Sequence, residues 1–235
     1  MVRRISILVH MFREIFSLFY PSLCAACREP LLRNEVTICA SCLMELPYTQ
    51  FHLDAENPVT RLFWGRTTVH FATSLCYFEK ATRVQRMLHE LKYRGNTSVG
   101  DFLGKELGKQ IELSPHFGKI DLILPVPLHP KKERLRGYNQ SSFIADGISH
   151  ITGIEAQKSL LLRKKNNSTQ TKKSRFDRYK NVETIFTLKE PEHVYGKHVL
   201  LVDDVVTTGA TLEACTETLL AQPDTRVSIA TLAIA

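Results

Sequence analysis

A stretch of thirteen residues, VLLVDDVVTTGAT, from Val199 to Thr211, restricts the possible folds more than any other part of this 235-residue chain. An apolar run ends in two adjacent carboxylates, Asp203 and Asp204, and a loop of threonine, glycine and alanine follows at once. This order predicts a buried β-strand, a tight loop and a helix that begins near Leu212. Because ligands bind at the carboxyl ends of strands in open parallel sheets, the stretch predicts both an α/β fold and the position of its binding site.

The loop after the acidic pair has the chemistry of a phosphate site. N–H groups at the start of a helix lack partners within the helix and lie at the positive end of its dipole, and glycine permits close backbone approach. The members of the loop are Thr207, Thr208, Gly209, Ala210 and Thr211. Asp203 and Asp204 are acceptors, which bind sugar hydroxyls or act through a divalent cation. A phosphorylated sugar satisfies both halves of the stretch. An ordinary helix cap is one alternative, but it needs fewer polar groups. A receiver-type phosphoacceptor is another, but its acidic pair follows an early strand, whereas this pair lies near the C-terminus.

Strands and helices alternate along the chain, which predicts a parallel sheet with helices on both faces. Predicted strands lie at 70–78, 121–128, within 155–165, and at 183–188, 198–204 and 227–235. Predicted helices lie at 81–95, 99–113, 142–152 and 212–221. The apolar fraction of 43% and the length suit one α/β domain with a small appendage. A net charge of +7 favours anionic partners, such as nucleotides, sugar phosphates, nucleic acid or acidic membrane surfaces.

The first twenty residues are mainly apolar, with charged side chains in two adjacent pairs at 3–4 and 13–14. Ile5, Leu8, Phe12, Ile15 and Phe19 repeat at helical spacing, which predicts an amphipathic helix that docks on the body. A membrane-surface helix is the alternative. Charged residues interrupt the apolar run, so neither a signal peptide nor a transmembrane segment is predicted, and we expect a cytoplasmic protein.

Four of the six cysteines form two C-x-x-C pairs near the start of the chain, Cys24 with Cys27 and Cys39 with Cys42. Each pair can present two thiolates to one metal ion, and together they complete a tetrahedral site without an open position. We therefore predict a structural Zn²⁺ site, with two disulfides or free thiols as alternatives. A small appendage has little core, so the metal would contribute much of its stability.

A basic segment follows the predicted strand at 121–128. It carries lysines and arginines, a glycine, and amide side chains at the start of the next helix. The residues singled out as diphosphate contacts are Arg136, Gly137, Asn139 and Gln140. Such a segment can bind an anion or can be a solvated basic surface, and its composition leaves both open.

Several motifs together give a resemblance to known families. VLLVDDVVTTGAT is similar to the phosphoribosyl diphosphate (PRPP) signature of the type I phosphoribosyltransferases. The segments HELKYRGN, RLRGYNQS and LRKKNNSTQTKKSRFDRYKN, together with the paired cysteines, resemble the ComF family, whose members are phosphoribosyltransferase-like proteins linked to DNA uptake. This resemblance covers nearly the whole chain. It implies a type I phosphoribosyltransferase-like parallel sheet at 61–235 and an N-terminal helix with a zinc-ribbon-like Cys₄ module at 1–60.

The resemblance also implies roles for individual residues. Asp203 and Asp204 would bind the ribose hydroxyls, the threonine loop would bind the 5-phosphate, and Mg²⁺ would accompany the diphosphate. A hood loop would close over the substrate with Arg163, Gln170, Arg175 and Arg178. Lys92 and Arg94, in the HELKYRGN segment, are possible further contacts of the cleft.

Three functions stay open at this level. The first is a glycosyltransferase that releases diphosphate from PRPP, without a protein nucleophile. The second is a non-catalytic module of natural transformation that binds single-stranded DNA or DNA-uptake proteins. The third is a sensor that binds PRPP or a related nucleotide in the same pocket. The sequence does not identify an acceptor for the phosphoribosyl group.

Overall fold

The computed structural model describes residues 21–164 and 185–235. Its strands are β1 (Phe71–Tyr77), β2 (Leu122–Pro125), β3 (Leu161–Arg163), β4 (Phe186–Leu188), β5 (His198–Val206) and β6 (Arg226–Ile234). Its helices are α1 (Ala40–Met44), α2 (Pro58–Arg61), α3 (Arg83–Tyr93), α4 (Ser98–Leu113), α5 (Pro130–Arg136), α6 (Gln140–Thr152) and α7 (Ala210–Leu220). Two short 3₁₀ segments lie at Phe51–Leu53 and Pro191–Val194.

A four-stranded parallel sheet with the order β1-β6-β5-β2 forms the centre of the molecule. The apolar residues of β5 alternate between its two faces. Leu200 and Val202 pack in the cluster that includes residues of α3, α4 and α6, while Val199 and Leu201 pack in the cluster that includes residues of α7, β3 and β4. Burial on both faces explains why the strands are apolar without strict alternation. The predicted α/β class, with helices around a parallel sheet, is confirmed.

Helices α4 and α6 approach each other closely through glycine. A Cβ atom at Gly147 would lie 2.2 Å from the backbone oxygen of Asp101, and one at Gly104 would lie 2.3 Å from the backbone oxygen of Ile144. Neither position has room for a side chain, so the backbones themselves form the contact. This packing fixes α6, whose first turn reaches the binding cleft.

Two elements differ from the sequence-based expectation. The sequence pattern predicts no helix between the strand at 121–128 and the helix at 142–152, but α5 forms there. His129 caps it through Nδ1, Pro130 occupies its first turn, and Gly137 ends it with φ of 82°. None of its residues is buried, so it has no apolar face that a periodicity search would detect. Strands β3 and β4 pair antiparallel in a separate ribbon instead of joining the parallel sheet.

The cysteine segment packs directly on the body. Cys24, Cys42 and Leu46 belong to the same buried cluster as Met87 and Leu88 of α3. The domain boundary near residue 60 stays a prediction. Of the other expectations, the amphipathic N-terminal helix and the hood residues Gln170, Arg175 and Arg178 lie outside the described residues. Among helices in the described ranges, none combines the length and apolar content that crossing a membrane requires.

Candidate functional site

The phosphate-type loop lies between β5 and α7. Strand β5 continues through the acidic pair to Val206, Gly209 has φ of 74°, and α7 begins at Ala210. The five loop residues and Asp203 line one small pocket. The start of α7 therefore directs its N-terminal N–H groups and dipole to the same space as the threonine hydroxyls. This arrangement suits a phosphate group.

Two residues that the sequence did not indicate, Phe63 and Arg66, contact this loop. A Cβ atom at Gly209 would lie 3.1 Å from Cε1 of Phe63, so the aromatic ring packs against the glycine. Arg66 donates from Nη1 to the backbone oxygen of Thr208 at 2.7 Å and forms an ion pair with Glu213 of α7. Since Arg66 and Thr208 are 142 positions apart and the Arg66 segment has no periodic pattern, the sequence carried no signal for this contact.

Asp203 lies in a hydrogen-bonded and partly buried environment. Its Oδ1 accepts from Ser141 Oγ at 2.9 Å and from the backbone N–H of Asp204 at 2.8 Å. Burial raises the pKa of Asp203 to about 7, and the neighbouring charge of Asp204 acts in the same direction. The two hydrogen bonds and Lys92 oppose this shift without cancelling it. Asp203 therefore takes up a proton more readily than an exposed aspartate does.

Asp204 is more buried than its neighbour, with 6% of its surface exposed. Its Oδ1 forms an ion pair with Lys92 Nζ of α3 at 3.0 Å, whereas its Oδ2 is buried and has no hydrogen-bond partner within the described residues. An unpaired buried acceptor is costly, which makes this oxygen a place where a hydrogen-bond donor would be favourable. Lys92 thus lies at the acidic pair, whereas Arg94 lines none of the pockets described here.

A cleft joins the acidic pair to the basic segment. Its polar lining consists of Lys92, Lys132, Arg136, Gln140, Arg163, Asp203, Asp204 and Thr211. Within it, Arg136 Nη1 donates to Gln140 Oε1 at 2.7 Å, and the Arg163 guanidinium lies 5.4 Å from the ring centroid of Phe186. Four cations and the two carboxylates therefore line one space, and one of the cations, Lys92, is paired with Asp204. Such a cleft suits a ligand that carries both hydroxyls and a highly charged anion.

Two of the predicted diphosphate contacts have structural roles instead of lining this cleft. Gly137 ends α5 in the left-handed conformation. Asn139 caps α6 by accepting from Ser141 N at 3.2 Å, and its amide donates to Val126 O at 3.0 Å. These contacts hold the basic segment in position. They leave Arg136 and Gln140 as the members of the predicted set that line the cleft.

The four paired cysteines come together in one cluster. All six cysteines of the chain are free thiols, and the four Sγ atoms of Cys24, Cys27, Cys39 and Cys42 lie within 4.8 Å of one another. Burial disfavours ionisation of Cys24, but N–H groups of Cys27, Cys39 and Ala26 outweigh it and lower its pKa to about 6. Burial raises the pKa of Cys42, so the cluster is not uniformly ionised without a metal. Four close sulfur atoms with N–H donors to Cys24 Sγ fit a four-coordinate metal ion. Within the described residues, no other group of three or more metal-binding side chains is found.

The acidic pair offers a different donor set. Two carboxylates, one with an unpaired oxygen, do not form a complete metal cage. Mg²⁺ commonly takes one or two carboxylates and completes its coordination with substrate phosphates and water. The donors present therefore fit an Mg²⁺ ion that arrives with a diphosphate.

Comparison with known proteins gives one family model and several relatives. The model of the phosphoribosyl transferase domain matches residues 148–234. Competence protein F of Haemophilus influenzae is 34% identical over 199 residues, which cover 81% of this chain and 80% of that protein. Competence protein ComFC of Bacillus subtilis is 26% identical and covers 84% and 77%, respectively. DNA utilization protein YhgH of Salmonella typhimurium is 27% identical and covers 85% and 91%.

Proposed function

Given that the chain belongs to the ComF (competence protein F) family, we propose that it binds Mg²⁺-associated phosphoribosyl diphosphate and transfers the phosphoribosyl group to an acceptor in the service of DNA uptake. The observation that carries this proposal is a pair of adjoining pockets that share Asp203 and Thr211. One is lined by the threonine loop at a helix start, and the other by the acidic pair and four cations. One ligand with a diol, a phosphate and a diphosphate satisfies all three parts. Two of the relatives are named competence proteins and one is named a DNA utilization protein, and these names support the link to DNA uptake.

In this function, each group has a defined task. Asp203 and Asp204 accept hydrogen bonds from the ribose hydroxyls, and the loop at 207–211 holds the 5-phosphate. Lys132, Arg136 and Arg163 neutralise the diphosphate. The acceptor's lone pair forms a bond to C1, the C1–O bond breaks, and diphosphate departs with the electron pair. Mg²⁺ held with the diphosphate would supply further positive charge to the leaving group. Because the transition state is oxocarbenium-like, positioning and charge stabilisation suffice.

The acidic pair provides the direct test of ligand binding. Hydrogen bonds to charged groups contribute about 1.5–3 kcal/mol each, so D203N/D204N should weaken the affinity for phosphoribosyl diphosphate with Mg²⁺ at least about tenfold in calorimetry. Asp224→Asn is the matched control, since Asp224 is exposed and its φ of 52° suits asparagine. Unchanged affinity in the double variant would falsify the assignment. Release of labelled diphosphate with a panel of bases and amines then separates an enzyme from a sensor, which would bind without turnover.

The second candidate function is binding of single-stranded DNA. It is favoured by the net charge of +7 and by helix α5, which has no buried residue and presents Lys131, Lys132 and Arg134. If backbone contacts form, log K should fall with log salt by about 0.7 for each phosphate contacted. Charge reversal at Lys131 and Arg134, neither of which lines the cleft, should reduce that slope while leaving phosphoribosyl diphosphate binding intact. A salt-independent interaction, or none, would exclude this function.

We further propose that the cysteine cluster holds a structural Zn²⁺ ion. Four thiol ligands leave no coordination position open for a substrate, so the metal would stabilise the segment and take no part in the transfer. Reduced cysteines and a charged metabolite as substrate fit a reducing compartment, which is why we expect a cytoplasmic location.

A further inference from the structure

A short segment before β1, residues 62–68, contacts the threonine loop from outside its pocket. Arg66 of this segment donates from Nη1 to the backbone oxygen of Thr208 at 2.7 Å and to that of Leu62 at 3.2 Å. Its Nη2 forms an ion pair with Glu213 in the first turn of α7. No residue of the segment lines the pocket itself. Arg66 therefore acts on the loop and on α7 without lining the space that suits a phosphate.

Buried contacts hold this segment on the body of the protein. Asn57, which is fully buried, caps α2 through its side-chain oxygen and donates from its amide to Ala72 O of β1 at 2.8 Å. Phe63 is also buried, belongs to the same apolar cluster as residues of α7, and packs its ring against Gly209. A group that buried packing and hydrogen bonds hold in place can fix the geometry of its neighbours. Arg66 therefore reaches the loop from a fixed base.

The contact with Thr208 sets the direction of one peptide group in the loop. All peptide bonds of the described residues are trans, so the C=O of Thr208 and the N–H of Gly209 point in opposite directions. Arg66 holds the carbonyl oxygen from outside the pocket, whereas Gly209 lines the pocket. If this peptide group turned over, its oxygen would face the phosphate and repel it. The hydrogen bond from Arg66 therefore favours the arrangement in which the loop presents a donor.

The ion pair has a second effect, on the charge near the start of α7. Glu213 lies in the first turn of this helix, where a carboxylate is favourable for the helix dipole but repels a phosphate at the same end. The guanidinium of Arg66 offsets that negative charge. The side chains of Arg66 and Glu213 are 36% and 22% exposed, so solvent screens the pair only in part. Without Arg66, the loop would stand beside an uncompensated carboxylate.

We propose that Arg66 is a positioning residue for the 5-phosphate, which holds the peptide group between Thr208 and Gly209 with its N–H toward the pocket and offsets the charge of Glu213. The inference rests on the proposed function, because it takes the loop at 207–211 as the phosphate site. Arg66 contacts neither the phosphate nor the reacting atoms and acts only through the loop and α7. Its loss should weaken binding of the phosphate end of the ligand and leave the diphosphate end unaffected.

The test uses ribose 5-phosphate and inorganic diphosphate with Mg²⁺ as separate probes in calorimetric titrations of the full chain. Arg66→Ala should lower the affinity for ribose 5-phosphate about tenfold, which corresponds to one lost hydrogen bond between the loop and a charged ligand. Its affinity for diphosphate should stay unchanged. Arg66→Lys keeps a cation and a donor and should recover most of the lost affinity. Arg61→Ala is the matched control, since this nearby arginine pairs with Glu56 and lines none of the pockets described here.

A second substitution separates the charge effect from a general loss of order in the loop. Glu213→Gln, introduced together with Arg66→Ala, removes the carboxylate that Arg66 no longer offsets. Ribose 5-phosphate should bind this double variant more tightly than it binds Arg66→Ala alone. Loss of order would not be repaired by removing a negative charge from α7, so equal or weaker binding would contradict the part of the inference that concerns Glu213.

The possible outcomes distinguish this inference from the proposed function. A loss of ribose 5-phosphate affinity in Arg66→Ala that Arg66→Lys recovers supports the inference, even if no acceptor gives diphosphate release and the proposed transfer fails. Equal affinity in Arg66→Ala and the parent overturns the inference, as does an equal loss for both probes, while binding and turnover of phosphoribosyl diphosphate by the parent would leave the proposed function standing. A parent chain that binds diphosphate but not ribose 5-phosphate also overturns it.

Discussion

At the scale of single residues, Asp203 combines its proposed binding role with a cost to stability. Its folded-state pKa of about 7 is above the ordinary value of 3.8, chiefly because of burial. Between these pH values the folded chain holds a proton that the unfolded chain has lost. Stability from this group is therefore present at low pH, falls as pH rises from about 4 to about 7, and changes little above that range.

The first stability prediction follows from this loss of stability with rising pH. Asp203→Asn removes the charge, so at pH 8 the variant should be more stable than the parent by at least about 1 kcal/mol, or about 2–4 °C in Tm for a chain of this size. At pH 5, where Asp203 is protonated in the folded chain, the difference should shrink. Thermal melts followed by circular dichroism at the two pH values measure both quantities. A variant that is less stable than the parent at pH 8 would contradict the raised pKa.

At the scale of helices and strands, the contact between α4 and α6 depends on glycine. Gly147→Ala would place Cβ within 2.2 Å of Asp101 O, so the helices must separate. Alanine favours a helix by about 1 kcal/mol over glycine, but overpacking typically costs about 1–3 kcal/mol, and we expect net destabilisation. Urea unfolding measures the change, with Ser149→Ala on the same helix as the control. Equal or greater stability in Gly147→Ala would show that the helices can separate without cost.

The predictability of each element follows its apolar pattern. The strands of the parallel sheet and α3, α4, α6 and α7 have buried faces, and their positions were predicted to within a few residues. Helix α5 has no buried residue, and the β3–β4 pairing joins segments separated by more than twenty positions, so neither leaves a local signal. In the site, the acidic pair and loop form one contiguous motif. The contacts of Arg66 and Lys92 depend on tertiary packing and have no such motif.

At the scale of the whole molecule, the cysteine segment and the cleft are joined by α3. Arg28, next to Cys27, forms an ion pair with Glu90, and Glu45 forms one with Arg83. Helix α3 also carries Lys92, which pairs with Asp204. Loss of order at the cysteines should therefore affect the position of the cation at the acidic pair.

Metal removal tests this connection. A zinc chelator should lower the Tm of the protein by several degrees, because a structural metal contributes directly to folding free energy. It should also weaken binding of phosphoribosyl diphosphate, and added Zn²⁺ should restore both properties. Metal content by mass spectrometry, melting curves and calorimetry are the measurements. If complete metal loss left the Tm unchanged, the cluster would have no structural role for a metal.

The strand order described above has a consequence for synthesis of the chain. Strand β6 pairs with β1 on one edge and β5 on the other, yet it follows both in the sequence. While the ribosome makes the protein, β1 and the β5–β2 pair cannot be joined, and the unpaired N–H and C=O groups of their edges stay open until residues 226–234 emerge. Unpaired edges readily bind other chains. The nascent protein should therefore depend on chaperones until β6 is inserted between β1 and β5.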